Sequence, residues 1–181
     1  MADEPRTFEL RSCRDMIRKL ERELDRVKCS GTDRGVLTDH GINFAWTAWH
    51  MADWVWANMT DAQRRQVAIE AGTNPDKFDL KGFQPYLCGK SRDLGYCRII
   101  ATAAKHSECR FWADFDFAPD ISLGPTFSLV GSLAGMAAAP QRRWVLKMDI
   151  NNERIPALEV FDSVLVFWTE FIYTRQIDRD D

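Results

Sequence analysis

The residues best suited to chemistry lie in the tryptophan-rich segment INFAWTAWHMADWVW, which runs from Ile42 to Trp56. As a helix, this segment aligns four residues on one stripe, at steps of four, three and four: Asn43, Thr47, His50 and Trp54. Asp53 lies one turn from His50, so its carboxylate can orient the imidazole or share a metal ion with it. The pattern also fits the solvent-facing stripe of an amphipathic helix. Tryptophans such as Trp46 flank the stripe, however, and are costly to expose.

A second group of candidate residues lies in RDLGYCRIIATAAKH, residues 92–106. Arg98, Thr102 and Lys105 are spaced by four and three, so a helix places them on one polar line. This line can contact phosphate, or it can be a solvated face. His106 follows in the last turn, where the helix dipole favours a cation. It can therefore cap the helix, or it can act as a general acid and base.

The two segments together predict a binding pocket, provided that their helices face each other. The predicted lining comprises Asn43, Trp46, Thr47, His50, Asp53, Trp54, Thr102 and Lys105. The candidate metal ligands are His50, Asp53 and His106, but one H-x-x-D spacing in a chain with three histidines does not predict a metal centre. The sequence has no P-loop, dinucleotide-binding or serine-hydrolase motif, so neither a metal nor a cofactor is predicted.

The composition narrows the class of protein. A net charge of −3 argues against strong non-specific binding to nucleic acid, although it leaves room for a local basic face. The start, MADEPRTFE, lacks the apolar core of a secretory signal, and the longest weakly polar run, residues 127–140, is too short to cross a membrane. Five cysteines without a C-x-x-C pair are typical of reduced thiols. These features predict a cytoplasmic protein that does not enter a membrane.

The first predicted helix runs from about Thr7 to Lys28. Its apolar seam advances by steps of three and four: Leu10, Cys13, Ile17, Leu20, Leu24 and Val27. Basic residues lie between the seam positions: Arg11, Arg14, Arg18, Lys19, Arg22 and Arg26. Because acidic residues are mixed with them, we expect a solvated face supported by pairs of opposite charge. A second helix, capped by Thr38 or Asp39 and ending near Met59, is expected to contain the tryptophan-rich segment.

Capping signals delimit the next helices. Thr60 and Gln63 form the capping box of a short helix that Gly72 ends. Residues 73–90 contain two prolines and two glycines, which predicts a loop. Ser91 is expected to cap a helix that runs to about Ser107.

After residue 108 the period of the apolar residues changes. CRFWADFDF, residues 109–117, alternates like a half-buried strand, and further strands are expected at 127–130 and 142–150. Asn151-Asn152 suits a tight turn, because asparagine tolerates positive φ. A final helix is expected from about Pro156 to Tyr173. Its predicted buried stripe consists of Leu158, Phe161, Leu165, Trp168 and Ile172.

The expected fold is therefore α+β and mainly α, in a single domain over residues 1–181. It consists of a bundle of four or five helices, with a small antiparallel sheet in the C-terminal half. Helices occupy about 7–107, strands about 109–155 and the last helix about 156–173.

Three segments in this order carry a resemblance: FAWTAWHMADWVW, CRIIATAAKH and DINNERIPALEVFDSVLVFWTEFI. They are similar to segments of a group of uncharacterised bacterial and phage-associated helical proteins. Members of that group pair an aromatic helix of the type (W/Y)-H-(hydrophobic)-x-D-W with a later helix of the type C-R-D-(hydrophobic)-x-N-x-x-K-H. The resemblance implies a helical protein of bacterial or phage type.

The helix with Arg98 and His106 also resembles, more distantly, the motif of HEPN domains. These are helical bundles found in RNA-cleaving toxins and defence proteins, where an arginine and a histidine four to six residues apart act across a dimer. Here seven residues separate Arg98 from His106, and Ile99 follows the arginine where those domains have a polar residue. The resemblance implies that Arg98 contacts phosphate and that His106 acts as general acid and base.

Three classes of function follow from these patterns. The first is a non-catalytic binding or assembly protein, associated with defence or toxin systems, that forms a homo-oligomer or binds a protein partner. The second is an HEPN-like RNA-acting toxin or nuclease that uses Arg98 and His106, which makes RNA a candidate partner. The third is a metal or small-molecule site between the helices that bear His50 and His106. Aromatic residues and arginine are enriched at protein interfaces, so the binding or assembly protein is the first expectation.

Overall fold

The computed structural model describes residues 9–105, 117–126, 141–150 and 152–178. Within these ranges six α-helices form: α1 Cys13–Cys29, α2 Arg34–Asn58, α3 Asp61–Glu70, α4 Leu80–Lys90, α5 Arg92–Lys105 and α6 Ala157–Thr174. Three strands form one antiparallel sheet in the order β1-β2-β3: β1 Phe117–Thr126, β2 Gln141–Ile150 and β3 Glu153–Pro156. The predicted fold class, mainly helical with a small antiparallel sheet in the C-terminal half, is confirmed.

Helix α1 begins later than the predicted start at Thr7, because Ser12 caps it. The Ser12 hydroxyl accepts a hydrogen bond from the Asp15 N–H at 3.1 Å, and the Asp15 carboxylate accepts one from the Ser12 N–H at 3.1 Å. This reciprocal pair satisfies donors that the first turn leaves open, so the helix starts at Cys13. The predicted seam faces the core: Cys13, Leu20, Leu24 and Val27 are buried, and Leu10 and Ile17 are partly buried.

Helix α2 also starts at a different cap from the two predicted ones. Asp33 accepts a hydrogen bond from the Val36 N–H at 3.0 Å, and the helix therefore begins at Arg34. Thr38 lies inside the helix, where its hydroxyl donates to the Arg34 carbonyl at 2.9 Å. The predicted end near Met59 is confirmed, since Met59 is the C-cap.

The predicted capping box of α3 is confirmed, with Gln63 accepting from the Thr60 N–H at 2.7 Å. Gly72 follows α3 with φ +66°, as a glycine that ends a helix should. The predicted loop over residues 73–90 is wrong. A short 3₁₀ turn, Pro75–Lys77, and helix α4 occupy most of it. Helix α4 tolerates Pro85 in its interior because Phe83 and Leu87 are buried in the core.

Helix α5 begins where the sequence predicted, after Ser91, whose hydroxyl accepts from the Leu94 N–H at 3.2 Å. The final helix is also confirmed. Trp168 of α6 is fully buried and its indole N–H donates to the Ala48 carbonyl of α2 at 2.9 Å. Phe161 stacks on Phe44, with ring centres 4.2 Å apart. The core therefore lies around α2, between α1, α4, α5 and α6.

The sheet agrees with the prediction at β2 and at the turn that follows it. β2 covers the expected strand over 142–150, Ile150 pairs with Glu153, and Asn152 has φ +67°. β1 pairs along the whole of β2, from Phe117 opposite Ile150 to Thr126 opposite Gln141. The sequence did not predict a strand over 118–126, since Pro119, Gly124 and Pro125 interrupt it. Phe117, the last residue of the strand expected at 109–117, is the first residue of β1. The rest of that strand and the strand expected at 127–130 lie outside the described residues.

Candidate functional site

The two helices that the sequence singled out do pack against each other. The indole N–H of Trp46 on α2 donates to the Ala101 carbonyl on α5 at 2.9 Å. The Arg98 guanidinium lies 4.9 Å from the centre of the Trp49 ring. We call the outer surface of this helix pair the α2/α5 face. It comprises Asn43, Trp46, His50 and Asp53 of α2, with Arg98, Thr102 and Lys105 of α5.

The predicted pocket residues do not converge on one cavity. Thr47 is buried and accepts a hydrogen bond from the Lys19 ammonium of α1, away from α5. The Thr102 hydroxyl donates to the Arg98 carbonyl of its own helix at 2.7 Å. Asn43 and Lys105 are exposed, and Trp54 is partly buried against the core. None of the predicted pocket residues lines any of the cavities described below.

The His50 imidazole and the Asp53 carboxylate meet as the spacing predicted, with 3.1 Å between Nδ1 and Oδ2. Both side chains are about half exposed, at 58% and 45%. In the part of the chain that the structure describes, no group of three or more histidine, cysteine or acidic side chains could hold a metal ion. His106 lies outside the described residues, so its pairing with Arg98 stays a prediction.

A polar cavity of about 920 Å³ lies elsewhere, where the start of α1, the junction of α2 and α3, and the turn after α6 meet. Its described lining contains four arginines: Arg11, Arg14, Arg18 and Arg175. The neutral polar residues around them are Ser12, Asn58, Thr60, Gln63 and Gln176. Asp178 is the one carboxylate in this described lining. We call this cavity the arginine basin.

Local sequence signals bring the three parts of the basin together. Gln63, the capping residue of α3, also donates to the Arg175 carbonyl at 2.7 Å and so ties the start of α3 to the end of α6. Helix α6 ends in a left-handed Gln176, φ +55°, and the Ile177 N–H returns to the Ile172 carbonyl at 3.1 Å. This pattern is a Schellman motif, and it buries Ile177 as the motif usually buries its last residue.

The turn after α6 delivers a carboxylate to the start of α1. Asp178, also left-handed with φ +64°, accepts a hydrogen bond from the Arg14 N–H at 2.9 Å. That N–H belongs to the first helical turn and has no carbonyl partner within α1. Burial, reinforced by the Asp178 charge, raises the pKa of the Cys13 thiol, so the thiol beside the basin stays protonated.

The guanidinium groups of the basin differ in how firmly they are held. The Arg175 guanidinium donates to the Glu70 carboxylate at 2.7 Å and to the Tyr86 hydroxyl at 3.1 Å, and it lies 4.0 Å from the centre of the Phe171 ring. Arg18 pairs with Asp15 at 3.3 Å. Within the described ranges, the guanidinium groups of Arg11 and Arg14 make no hydrogen bond or ion pair, and both side chains are exposed.

The charges around Arg175 are tuned by the same contacts. The hydrogen bond from Tyr86, together with the Arg175 charge, lowers the pKa of Glu70. Burial, and then the hydrogen bond to Glu70, raises the pKa of Tyr86 to about 12. At neutral pH the carboxylate is therefore ionised and the phenol is protonated, which fixes Arg175 in one position.

A second, more apolar groove of about 410 Å³ adjoins the basin between α1 and α6. It shares Arg14, Arg18 and Gln176 with the basin. Its apolar side chains are Ile17, Ile172, Tyr173 and Ile177. Tyr173 is 80% exposed, so its ring lies open to solvent beside the groove. We call this cavity the α1/α6 groove.

A third cavity, of about 260 Å³, lies between the helices and the sheet and is almost entirely apolar. Its lining includes Gly41, Ile100, Leu146 and Phe161. It also includes Ala104, which lies close in sequence to residues 106–116, outside the described ranges. We place no site there.

The sequence predicts a solvated face for Arg11, Arg14 and Arg18, and no pattern in it points to Arg175. One signal was available, since Arg11, Arg14 and Arg18 advance by three and four and therefore share a side of the helix. No signal within the sequence placed residues 175–178 beside them.

Comparison of this chain with protein-family models, curated proteins and solved structures finds no match. The resemblances to bacterial and phage-associated helical proteins and to HEPN domains stay predictions. Among the described residues, no helix combines the length and the apolar character that crossing a membrane requires.

Proposed function

We propose that this chain is a non-catalytic binding or assembly protein whose partner is an anionic surface of another protein, held in the arginine basin. The observation that carries the proposal is a cavity of about 920 Å³ with four arginines and a single carboxylate in its described lining. Arginine binds carboxylates and phosphates through a planar fork of donors, which suits it to this task.

The chemistry of the basin favours binding over catalysis. Its described lining contains no histidine or cysteine. Ser12 and Thr60 are engaged as helix caps. The Ser12 hydroxyl donates to the Asp15 carboxylate at 2.9 Å, but the hydrogen bonds from the Arg11 N–H and from Ser12 lower the pKa of Asp15, which makes it a weak base. Arginine does not act as a general base, because its guanidinium remains protonated at ordinary pH.

The other predicted functions have less support from the described residues. An HEPN-like reaction needs a free Arg98, but its guanidinium lies against the Trp49 ring. A metal or small-molecule site would need convergence of the residues around His50, and Thr47 points instead to Lys19. The expectation of a homo-oligomer stays a prediction that sizing by light scattering tests.

Titration calorimetry with tripolyphosphate and with citrate tests the basin directly. At low ionic strength both anions should bind, because surface charges are least screened there. The double change Arg11→Glu and Arg14→Glu should weaken binding by about ten-fold or more, since two attractions become repulsions. Acidic residues are compatible with the start of a helix, so this variant should fold.

Arg22→Glu is the matched control, since Arg22 is also exposed on α1 but lines neither the basin nor the groove. It should change the affinity by less than about two-fold. If wild-type protein binds neither anion, or if both charge reversals weaken binding equally, the proposal is wrong.

A further inference from the structure

The arginine basin and the α1/α6 groove adjoin each other, and we call the two together the depression. Arg14, Arg18 and Gln176 line both cavities. One end of the depression is cationic, and the other end is lined by the aliphatic side chains of Ile17 and Ile172. A ligand that fills both parts must therefore carry negative charge and apolar surface next to each other.

The size of the depression indicates a polymer segment rather than a small ion. A single phosphate or carboxylate group would fill only a small part of the basin. Along α1 the groove extends from Arg14 to Glu21. Seven helical steps correspond to roughly 10 Å, the length of about three residues of an extended chain.

The chain itself shows that carboxylates bind at this end of the molecule. Asp178 already accepts the Arg14 N–H at 2.9 Å beside the exposed arginines. The start of α1 therefore attracts a carboxylate, and the exposed guanidinium groups of Arg11 and Arg14 remain able to bind further ones.

We infer that the depression binds a short acidic segment of another protein, with carboxylates in the arginine basin and an adjoining apolar side chain in the α1/α6 groove against Tyr173. This inference rests on the proposed function and names the class of partner. The exposed guanidinium groups of Arg11 and Arg14 select the acidic residues, and the aliphatic lining of the groove selects the apolar one.

A nucleic acid fits the depression less well than a peptide does. Successive bases stack on aromatic platforms in single-strand binding sites, whereas the described groove has one tyrosine among isoleucines. Glu21 lines the groove, where the peptide would place an apolar side chain but a nucleic acid would place further phosphates. The Glu21 carboxylate therefore repels a nucleic acid at that end.

Fluorescence anisotropy with labelled peptides tests the inference. The leucine peptides contain four glutamates next to two leucines, with the leucines placed after the glutamates in one peptide and before them in the other. Each leucine peptide has a matching alanine peptide, in which alanines replace the leucines. The better leucine peptide should bind about ten-fold more tightly than its matching alanine peptide, because the groove removes an apolar side chain from water. Arg11→Glu with Arg14→Glu should weaken the binding of all these peptides.

Tyr173→Ser should remove most of the advantage of the leucine peptide and leave the affinity for tripolyphosphate unchanged. Tyr173 is 80% exposed, so this change should not unfold the protein, and circular dichroism checks that. Val166→Ser is the matched control, since Val166 is an exposed apolar residue of α6 that does not line the groove. It should leave the leucine advantage intact.

The results distinguish a failure of the peptide inference from a failure of the proposed function. Equal affinity for the leucine and alanine peptides, with tripolyphosphate still bound, would overturn the peptide inference and leave the proposed function standing. Loss of all anion binding would remove both. If an oligouridylate of about ten nucleotides binds more tightly than either peptide, and Tyr173→Ser weakens it, the depression is a nucleic-acid site and the inference is wrong.

Discussion

The α2/α5 face and the arginine basin hold similar kinds of side chains, but they use them differently. On the α2/α5 face the polar groups bond to the fold itself, as Trp46 does to the Ala101 carbonyl and Thr102 to the Arg98 carbonyl. In the basin, Arg11 and Arg14 extend their guanidinium groups into a cavity and make no hydrogen bond or ion pair with the described residues.

The difference follows from where the two regions lie. The α2/α5 face is part of a packed helix pair, and a polar group that is partly buried there costs free energy unless it finds a partner. The basin lies at helix ends, where α1, α3 and α6 meet and their side chains diverge. Long arginine stems can lie on the surface there while their charged groups stay in water. Substitutions of buried side chains of α2, such as Trp49 and Thr47, should therefore lower stability, and substitutions in the basin should lower binding.

The largest effect on stability is expected for Trp49→Ala. Trp49 is nearly buried and its ring supports the Arg98 guanidinium, so truncation leaves a cavity between α2 and α5. The free energy of unfolding should fall by roughly 3–5 kcal/mol. Urea unfolding followed by circular dichroism measures it. Binding of tripolyphosphate by the folded fraction should not change, and a loss of binding there would break the distinction between the two regions.

A smaller loss of stability is expected for Thr47→Val, which keeps the shape of a buried side chain and removes its hydroxyl. The Lys19 ammonium then loses its acceptor on α2, at a cost of roughly 1–2 kcal/mol. The same urea experiment measures the change. If Thr47→Val leaves stability intact but weakens ligand binding, Thr47 belongs to a site and the prediction from the sequence is restored.

The change Glu70→Gln tests the basin arginine that is held firmly by the fold, because the Glu70 carboxylate pairs with the Arg175 guanidinium. The free energy of unfolding should fall by about 1 kcal/mol at neutral pH, since the ion pair is only partly exposed.

The effect of Glu70→Gln should depend on pH in a defined direction. The hydrogen bond from Tyr86, with the Arg175 charge, lowers the pKa of Glu70 in the folded protein. Its contribution is therefore complete above the usual glutamate pKa of about 4 and disappears as the pH falls through the lowered value. The difference between wild type and variant in urea unfolding should shrink below about pH 4. A difference that grew on acidification would contradict this assignment.

The smallest effect is expected for His50→Ala. The His50–Asp53 pair is about half exposed and joins residues three apart on one helix, so its loss should cost less than about 0.5 kcal/mol. Binding of tripolyphosphate and of the acidic peptides should be unchanged within error. A ten-fold loss of affinity in either titration would show that His50 belongs to the functional site.

The elements that the sequence predicted correctly depend on interactions between near neighbours. Thr60 and Gln63 cap α3, Gly72 ends it, and Asn152 adopts the positive φ expected of its turn. The predicted stripe of α6 is buried at Phe161 and Trp168, because apolar residues at steps of three and four must face the same side of a helix.

The elements that the sequence missed depend on contacts between distant segments. Helix α4 forms in spite of Pro85, since burial of Phe83 and Leu87 outweighs the lost hydrogen bond. Asp33 caps helix α2 although Thr38 and Asp39 are equally good capping types. The turn that leads to Asp33 is held from a distant segment, since the Trp144 N–H donates to the Gly31 carbonyl at 2.7 Å. The strand β1 is held by its pairing with β2 rather than by its own sequence, which contains two prolines.

The sequence by itself determined the mainly helical class, most helix ends and the meeting of His50 with Asp53, because each of these depends on residues within a few positions of one another. The tertiary structure alone decided where the cationic site lies. The arginines of α1 become a basin only when Asp178, which is 164 residues from Arg14, is folded against them. Helical spacing shows which residues share a side of one helix, but it does not show what the other segments of the chain bring to that side.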